Sequence, residues 1–125
     1  MIIKNIKDMI GGWYIGDFDP SAFKTKDFEV CYKKHEKGEK WDTHYHTKIV
    51  EINYLIKGKM IIQNTILKEG NIFILNPGEI ASPTFLENCE IIIVKVPSIP
   101  NDKVIIKEKT IWTYIKNLLM KLNIL

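Results

Sequence analysis

The sequence GEKWDTHYHTKIVEINYLIKG, residues 38–58, carries the most informative residues of this chain. His44 and His46 stand two residues apart on an extended segment, so their side chains project to the same side. Glu51 follows at the start of the next predicted strand, from which its carboxylate can reach the same point in space. Imidazole and carboxylate groups bind first-row divalent metals, and two histidines with one carboxylate leave coordination positions open. The stretch therefore indicates a candidate metal site formed by His44, His46 and Glu51.

The same stretch resembles the first sequence motif of the cupin superfamily, G-x5-H-x-H-x3,4-E-x6-G. Every fixed position of that motif is filled at an allowed spacing, by Gly38, His44, His46, Glu51 and Gly58. The second cupin motif, G-x5-P-x-G-x2-H-x3-N, is matched only in part. Its two glycines are present, but other residues stand at its proline, histidine and asparagine positions: Asn76, Ala81 and Phe85. The resemblance covers roughly residues 26–97.

The resemblance implies an all-β, double-stranded β-helix (jelly-roll) barrel with a pocket inside. In such cupins the two histidines, the glutamate and the histidine of the second motif bind a metal. An alanine cannot coordinate a metal, so Ala81 leaves three candidate ligands here: His44, His46 and Glu51. We expect a divalent ion, Fe, Mn, Ni or Zn, that is weakly bound or absent.

Three functions compete for these residues. In the first, the metal polarises a substrate, which Tyr32, Glu79 or Thr84 could orient from the pocket wall. In the second, which is metal-free, His44 or His46 acts as general base and a tyrosine such as Tyr32 as acid, as in cupin-like sugar isomerases and epimerases. In the third, the protein is a non-catalytic, ligand-binding or sensing cupin.

The substrate class follows from resemblance alone. Residues 12–27, together with His44-Tyr45-His46, are similar to small single-domain cupins associated with surface-polysaccharide and nucleotide-sugar genes, which implies a sugar-related small molecule. Trp41 lies three residues before His44 and could stack on a sugar ring or a base, or simply pack at a strand edge. Because the chain has no arginine, lysines such as Lys33, Lys40 or Lys48 would have to hold a pyrophosphate.

Short runs of β-branched residues fill the region from Phe28 to Val96, and turn signals separate them every 8 to 12 residues. This pattern is typical of a sandwich or barrel. Several runs, including residues 52–56 and 91–94, carry apolar residues on both faces. Because one face of an antiparallel sheet usually meets water, the second apolar face predicts a covering partner, and we expect a homodimer.

After the breaker at residues 97–102, the apolar spacing changes to that of a helix, with a stripe of six residues: Ile111, Trp112, Ile115, Leu118, Leu119 and Leu122. Thr110 is a possible N-cap. We expect this amphipathic helix to pack on the barrel or on a partner. The predicted organisation is a cupin barrel over residues 1–102, with its motif-bearing core at 26–97, and a helical extension over residues 103–125.

Composition excludes several other classes. The 125 residues are 46% hydrophobic and 26% charged, which is ordinary for one globular domain. The net charge of +3 comes with no arginine, which argues against specific nucleic-acid binding. No apolar run is long enough to span a membrane, and the amino terminus does not resemble a signal peptide, so a cytoplasmic location is expected.

The remaining candidate residues are a histidine and two cysteines. His35 follows two lysines and is expected at the surface, at the end of a strand. Cys31 and Cys89 are far apart in predicted strands, without the spacing of a zinc site, so buried free thiols are expected.

Overall fold

The computed structural model describes residues 1–124, and of residues 108–111 it describes the backbone alone. A 3₁₀ turn at Ile6–Asp8 precedes the first strand. The strands are β1 Trp13–Gly16, β2 Phe23–Lys24, β3 Glu29–His35, β4 His44–Tyr45, β5 Val50–Lys57, β6 Lys59–Ile62, β7 Thr65–Lys68, β8 Ile72–Leu75, β9 Thr84–Phe85, β10 Cys89–Val96 and β11 Val104–Ile105, and the helix α1 spans Glu108–Lys121.

The strands form three sheets. The largest has the order β2-β1-β3-β10-β5-β8, the second has the order β7-β6-β9, and β11 pairs with β4. All pairs are antiparallel except β1 with β2. The backbone of His44 also bridges that of Ala81, with N···O distances of 2.9 and 2.8 Å, and so joins β4 to the chain before β9. The predicted all-β class with one carboxy-terminal helix is confirmed.

The apolar core lies between the six-stranded and the three-stranded sheet, and both contribute side chains to it. Its buried members are Leu55, Met60, Ile62, Leu67, Leu75, Ala81, Phe85, Cys89 and Ile91. The core follows from the alternation of strand side chains, since every second residue of β5, β6 and β10 faces inward. Cys31 and Cys89 are both buried and free, as predicted.

Strand β3 places several polar residues on its inward side, together with Cys31. Glu29, Cys31 and His35 are buried, whereas the side chain of Tyr32 lies on the outer face and donates a hydrogen bond of 2.7 Å to Glu90. The expectation that His35 lies at the surface is therefore wrong. His35 is 6% exposed. Side chains alternate along the strand, so Lys34 points outward while Lys33 and His35 point inward.

The outer face of the large sheet is apolar, as the sequence indicated. Paired positions on β10, β5 and β8 align Ile92 with Tyr54 and Ile72, and Val94 with Ile52 and Ile74. Tyr54, Ile72 and Ile74 are 43%, 64% and 53% exposed.

The carboxy-terminal segment departs from the predicted organisation in two ways. Strand β11 pairs with β4, so sheet structure continues beyond residue 102. Helix α1 begins at Glu108 after Lys107 at the N-cap, so Thr110 lies inside the first turn and is not the cap. The backbone of residues 106–107 leads from the sheet directly into the helix, three residues earlier than the capping signal suggested.

Most of the apolar stripe of α1 is exposed. Trp112, Ile115, Leu118 and Leu122 are between 40% and 59% exposed and Leu119 is half-buried, so packing on the barrel is not observed for most of the stripe, and packing on a partner stays a prediction. The side chain of Ile111, also assigned to this stripe, lies outside the described side chains. Within residues 1–124, no helix is long and apolar enough to cross a membrane.

Candidate metal and ligand-binding cavity

A cavity of about 70 Å³ lies between the two larger sheets. Its wall combines apolar core residues with a set of polar side chains: Lys33, His35, His44, His46, Glu51, Asn53, Lys95 and Lys103. The three candidate ligands predicted from the sequence therefore line one cavity. All three are buried, with exposed fractions of 4% to 8%.

Both histidines are oriented by backbone carbonyls. Nδ1 of His44 donates to the carbonyl oxygen of Asp42 at 2.8 Å, and Nδ1 of His46 donates to that of Asp102 at 2.5 Å. A carbonyl oxygen can only accept, so each ring carries its proton on Nδ1 and keeps a lone pair on Nε2 when neutral. Burial lowers the pKa of His44 and outweighs the opposing hydrogen bond to Asp42. This tautomer is the one in which Nε2 can bind a metal.

His46 and Glu51 approach each other without forming a hydrogen bond. Nε2 of His46 lies 3.4 Å from Oε1 of Glu51, and it is buried with no hydrogen-bond partner. The other carboxylate oxygen of Glu51 accepts a hydrogen bond of 3.1 Å from the amide of Asn53. Burial acts to raise the pKa of Glu51, but contact with His46, the charge of Lys95 and the Asn53 hydrogen bond outweigh it and lower the pKa. The carboxylate is therefore ionised at neutral pH.

The third candidate ligand, His44, lies beside the His46–Glu51 pair. Its ring centroid is 5.4 Å from that of His46, and the two ring planes are inclined by 74°. Among the described side chains, no group of three or more His, Cys, Asp or Glu residues has the geometry of a metal site. The structure thus brings His46 and Glu51 together and places His44 beside them.

The loop before β11 holds this arrangement in place. The carboxylate of Asp102 accepts hydrogen bonds from the backbone N–H groups of Thr47, Lys48 and Ile49, at 3.1, 2.9 and 3.1 Å, and from the Thr47 hydroxyl. These residues connect His46 to β5 and hence to Glu51. Asp102 therefore fixes the segment between two candidate ligands, while its own carbonyl orients the His46 ring.

A second polar cluster borders the cavity. His35 contacts the carboxylate of Glu39 through Nδ1 and stacks on Phe85 with ring centroids 4.0 Å apart. Glu39 also accepts a hydrogen bond of 2.8 Å from the indole N–H of Trp41. Trp41 lines both the cavity and a larger groove outside it, so this predicted ligand-binding residue lies at the boundary between the two.

Three other predicted site residues lie away from the cavity, which corrects their assignment. Tyr32 points to the outer face of β3, where it is bonded to Glu90. Thr84 alternates with Pro83 and Phe85, and those two neighbours line the cavity instead. The carboxylate of Glu79 accepts hydrogen bonds from the backbone and side chain of Asn76 in the turn after β8.

The sequence interpretation missed four residues at the cavity. Three of them line the cavity: Lys95, Lys103 and Trp13. They lie beside Lys33, which the sequence interpretation considered only as a pyrophosphate-binding residue. The fourth is Asn53, which donates a hydrogen bond to Glu51. Lys95 could have been predicted from the strand alternation, because it lies two and four residues after Ile93 and Ile91, both of which line the cavity. Trp13 and Lys103 carry no comparable local signal, because they come from opposite ends of the chain.

Solved structures of other proteins share this architecture. The chain is similar to a double-stranded β-helix domain protein from Klebsiella pneumoniae (TM-score 0.60, 22% identity, 67% of this chain and 74% of that one). It is also similar to an RmlC-like cupin from Shewanella frigidimarina (TM-score 0.55, 15% identity, 62% and 72%). A third similar structure is the DMSP lyase DddQ from Ruegeria pomeroyi (TM-score 0.62, 12% identity), with 74% of this chain covering 49% of the lyase.

No protein-family model matches the sequence, and no curated protein sequence matches it. The architecture and the structural similarities together show the fold: the chain has the double-stranded β-helix fold that cupins share.

Proposed function

We propose that this cavity is the active site of a cupin-type enzyme in which His44, His46 and Glu51 bind a divalent ion, Fe, Mn, Ni or Zn. The observation that carries the proposal is the unpartnered Nε2 of His46, 3.4 Å from Oε1 of Glu51. When His46 is neutral both atoms present lone pairs, so either a proton on Nε2 or a bound cation has to lie between them. The separation is long for a hydrogen bond, but two ligands bound at about 2.1 Å to a tetrahedral ion lie about 3.4 Å apart. A metal ion therefore fits this pair better than a proton.

A bound divalent ion would supply Lewis-acid polarisation of a substrate oxygen. The chain's own residues prepare the site for it. The carbonyls of Asp42 and Asp102 accept from Nδ1 of the two imidazoles, which leaves the lone pair on Nε2 when each ring is neutral, and Asn53 donates to the second oxygen of Glu51. Apolar side chains form part of the remaining wall, and a less polar wall strengthens electrostatic interactions in the cavity.

The two alternative functions differ in how well the described residues support them. The metal-free isomerase needs a tyrosine acid, and no tyrosine lines the cavity in the described part of the chain. The non-catalytic ligand-binding cupin stays the second candidate, because Ala81 stands where cupins carry a fourth ligand. The shared fold with a DMSP lyase supports an enzyme, although fold alone does not define a reaction.

Metal binding is tested on protein purified without a chelating tag, stripped with EDTA and titrated with Fe(II), Mn(II), Ni(II) and Zn(II). Wild type should bind about one equivalent, and Glu51→Gln should weaken binding by about 10- to 100-fold. Glu79→Gln is the matched control, because it removes a carboxylate outside the cavity. Binding below about a tenth of an equivalent, or equal affinity in both variants, would contradict the metal site.

We further propose that the ligand is a sugar-related substrate and that the reaction is an isomerisation or an epimerisation. Incubation with candidate keto sugars in D₂O should give deuterium uptake that His46→Gln abolishes. Ligand binding detected by thermal shift, without uptake or turnover, would favour the non-catalytic candidate. A cytoplasmic location stays a prediction from the sequence.

The proposal includes a homodimer that covers the apolar outer face of the large sheet. Strand β8 is the edge of that sheet, and the exposed Ile72 and Ile74 continue the apolar rows of β10 and β5. Light scattering at micromolar concentration should give twice the chain mass, and Ile74→Lys should give a monomer. Ile66→Lys, at an equally exposed isoleucine on the other sheet, should stay dimeric. A monomeric wild type would contradict this part.

A further inference from the structure

Five side chains form an alternating row where the cavity meets the larger outer groove. In order they are Lys95, Trp13, Lys33, Trp41 and Lys103, and we call them the lysine–tryptophan row. The ammonium of Lys95 lies 4.6 Å from the ring centroid of Trp13, and that of Lys33 lies 5.6 Å from Trp13 and 4.3 Å from Trp41. Lys103 lies 4.8 Å from the ring of Trp41. The aromatic faces hold the three ammonium groups in defined positions by cation–π contact.

The row is positively charged and forms no ion pair among the described side chains, although the outer groove also carries the carboxylates of Asp19, Glu29 and Asp102. All five residues border both the cavity and the outer groove of about 400 Å³, and no acidic residue borders both. In the described chain outside residues 108–111, four lysines are half-buried; Lys59 pairs with Glu87, while Lys33, Lys95 and Lys103 make no ion pair. Glu51, the acidic residue of the cavity wall, accepts a hydrogen bond from Asn53, lies 3.4 Å from His46 and interacts with the charge of Lys95.

Holding three cations together costs free energy. Burial lowers the pKa of Lys33 and Lys103, and repulsion from Lys95 lowers both further. The lysines nevertheless lie in fixed positions around one opening, and an anion bound among them would relieve both their desolvation and their mutual repulsion.

We propose that the lysine–tryptophan row is the binding subsite for an anionic oxygen group, a carboxylate or a phosphate, of the molecule that enters the cavity. This inference rests on the proposed function only in taking the cavity as the ligand site, and the subsite does not require the metal. The cavity is small and the groove larger, so the ligand places its anionic group at the opening and its remaining atoms toward His46 and Glu51 or along the groove.

The test uses tryptophan fluorescence of EDTA-treated protein. A Trp112→Phe background leaves Trp13 and Trp41 as the reporters. The probes are inorganic phosphate, glucuronate, glucose 6-phosphate and neutral glucose. We expect a saturable signal with at least one anion and none with glucose. Glucuronate alone would identify a carboxylate subsite, whereas phosphate with glucose 6-phosphate would identify a phosphate subsite.

Charge-neutral variants locate the binding. Lys33→Gln and Lys95→Gln should each weaken anion binding about tenfold, whereas Lys68→Gln, at an exposed lysine of β7, should change it less than about twofold. Thermal melts verify that each variant is folded. Absence of a saturable signal with every anion, or an equal loss in Lys68→Gln, would overturn the subsite.

Parallel metal titration separates this inference from the proposed function. Metal binding without anion binding would refute the subsite alone. Anion binding by the stripped protein without metal binding would refute the metal site and support the subsite.

Discussion

Asp102→Asn should destabilise the protein by about 1 to 2 kcal/mol at neutral pH. Burial acts to raise the pKa of Asp102, but the Thr47 hydroxyl and the backbone N–H groups of Lys48, Thr47 and Ile49 outweigh it and lower the pKa from 3.8 to about 2. A shift of this size corresponds to at most about 2.5 kcal/mol, and solvent screening reduces it. The asparagine also turns an NH₂ group toward N–H donors that had an acceptor before.

The pH dependence provides the sharper test. Because the folded-state pKa lies below the unfolded value, the stabilisation by Asp102 is complete above about pH 5 and is lost as pH falls toward 2. The variant carries no charge at this position, so the difference in unfolding free energy should shrink to about half by pH 3.

Urea unfolding at pH 7, 5 and 3, followed by circular dichroism, measures this difference. At neutral pH the melting temperature should fall by about 4 to 8 °C for a chain of this length. Asp27→Asn, at an exposed carboxylate, serves as the control and should change stability by less than about 0.5 kcal/mol. A difference that stays constant from pH 7 to pH 3, or one no larger than that of the control, would refute the reasoning.

Two further predictions concern backbone geometry and thiol reactivity. Gly58→Ala should cost at least about 3 kcal/mol, because at φ +96° the added Cβ would lie 2.4 Å from the carbonyl oxygen of Asn88, whereas Gly70→Ala, at φ +90° in open space, should cost about 1 kcal/mol. Equal urea midpoints for the two variants would contradict this. Burial raises the pKa of Cys31 to about 12 and also raises that of Cys89, so native protein should resist a disulfide reagent at pH 8, while urea-unfolded protein should release two equivalents. Rapid labelling of the native protein would disprove it.

The local pattern was sufficient to predict part of the site. His44 and His46 share a side of one extended segment because strand side chains alternate, and Glu51 begins the neighbouring strand. These relations depend on short separations along the chain, and the structure places all three residues at one cavity. The all-β class follows from the same alternation, repeated between turn residues.

Alternation defines two sets of residues on a strand but does not say which set faces inward. On β3 the inward set holds Glu29, Cys31, Lys33 and His35, and the outward set holds Val30, Tyr32 and Lys34. Tyr32 belongs to the outward set and therefore lies away from the cavity. On β9 the ordinary pattern holds, because Pro83 and Phe85 take the inward positions and Thr84 lies between them.

The lysine–tryptophan row could be found only in three dimensions. Trp13 comes from β1, Lys33 from β3, Lys95 from β10, and Lys103 from the residue before β11. No spacing along the chain relates these positions, and only the pairing order of the strands brings them to one opening. Local periodicity therefore determines which residues share a face of each strand. Long-range strand pairing determines which charged side chains come close together, because it alone sets the distances between residues far apart in sequence.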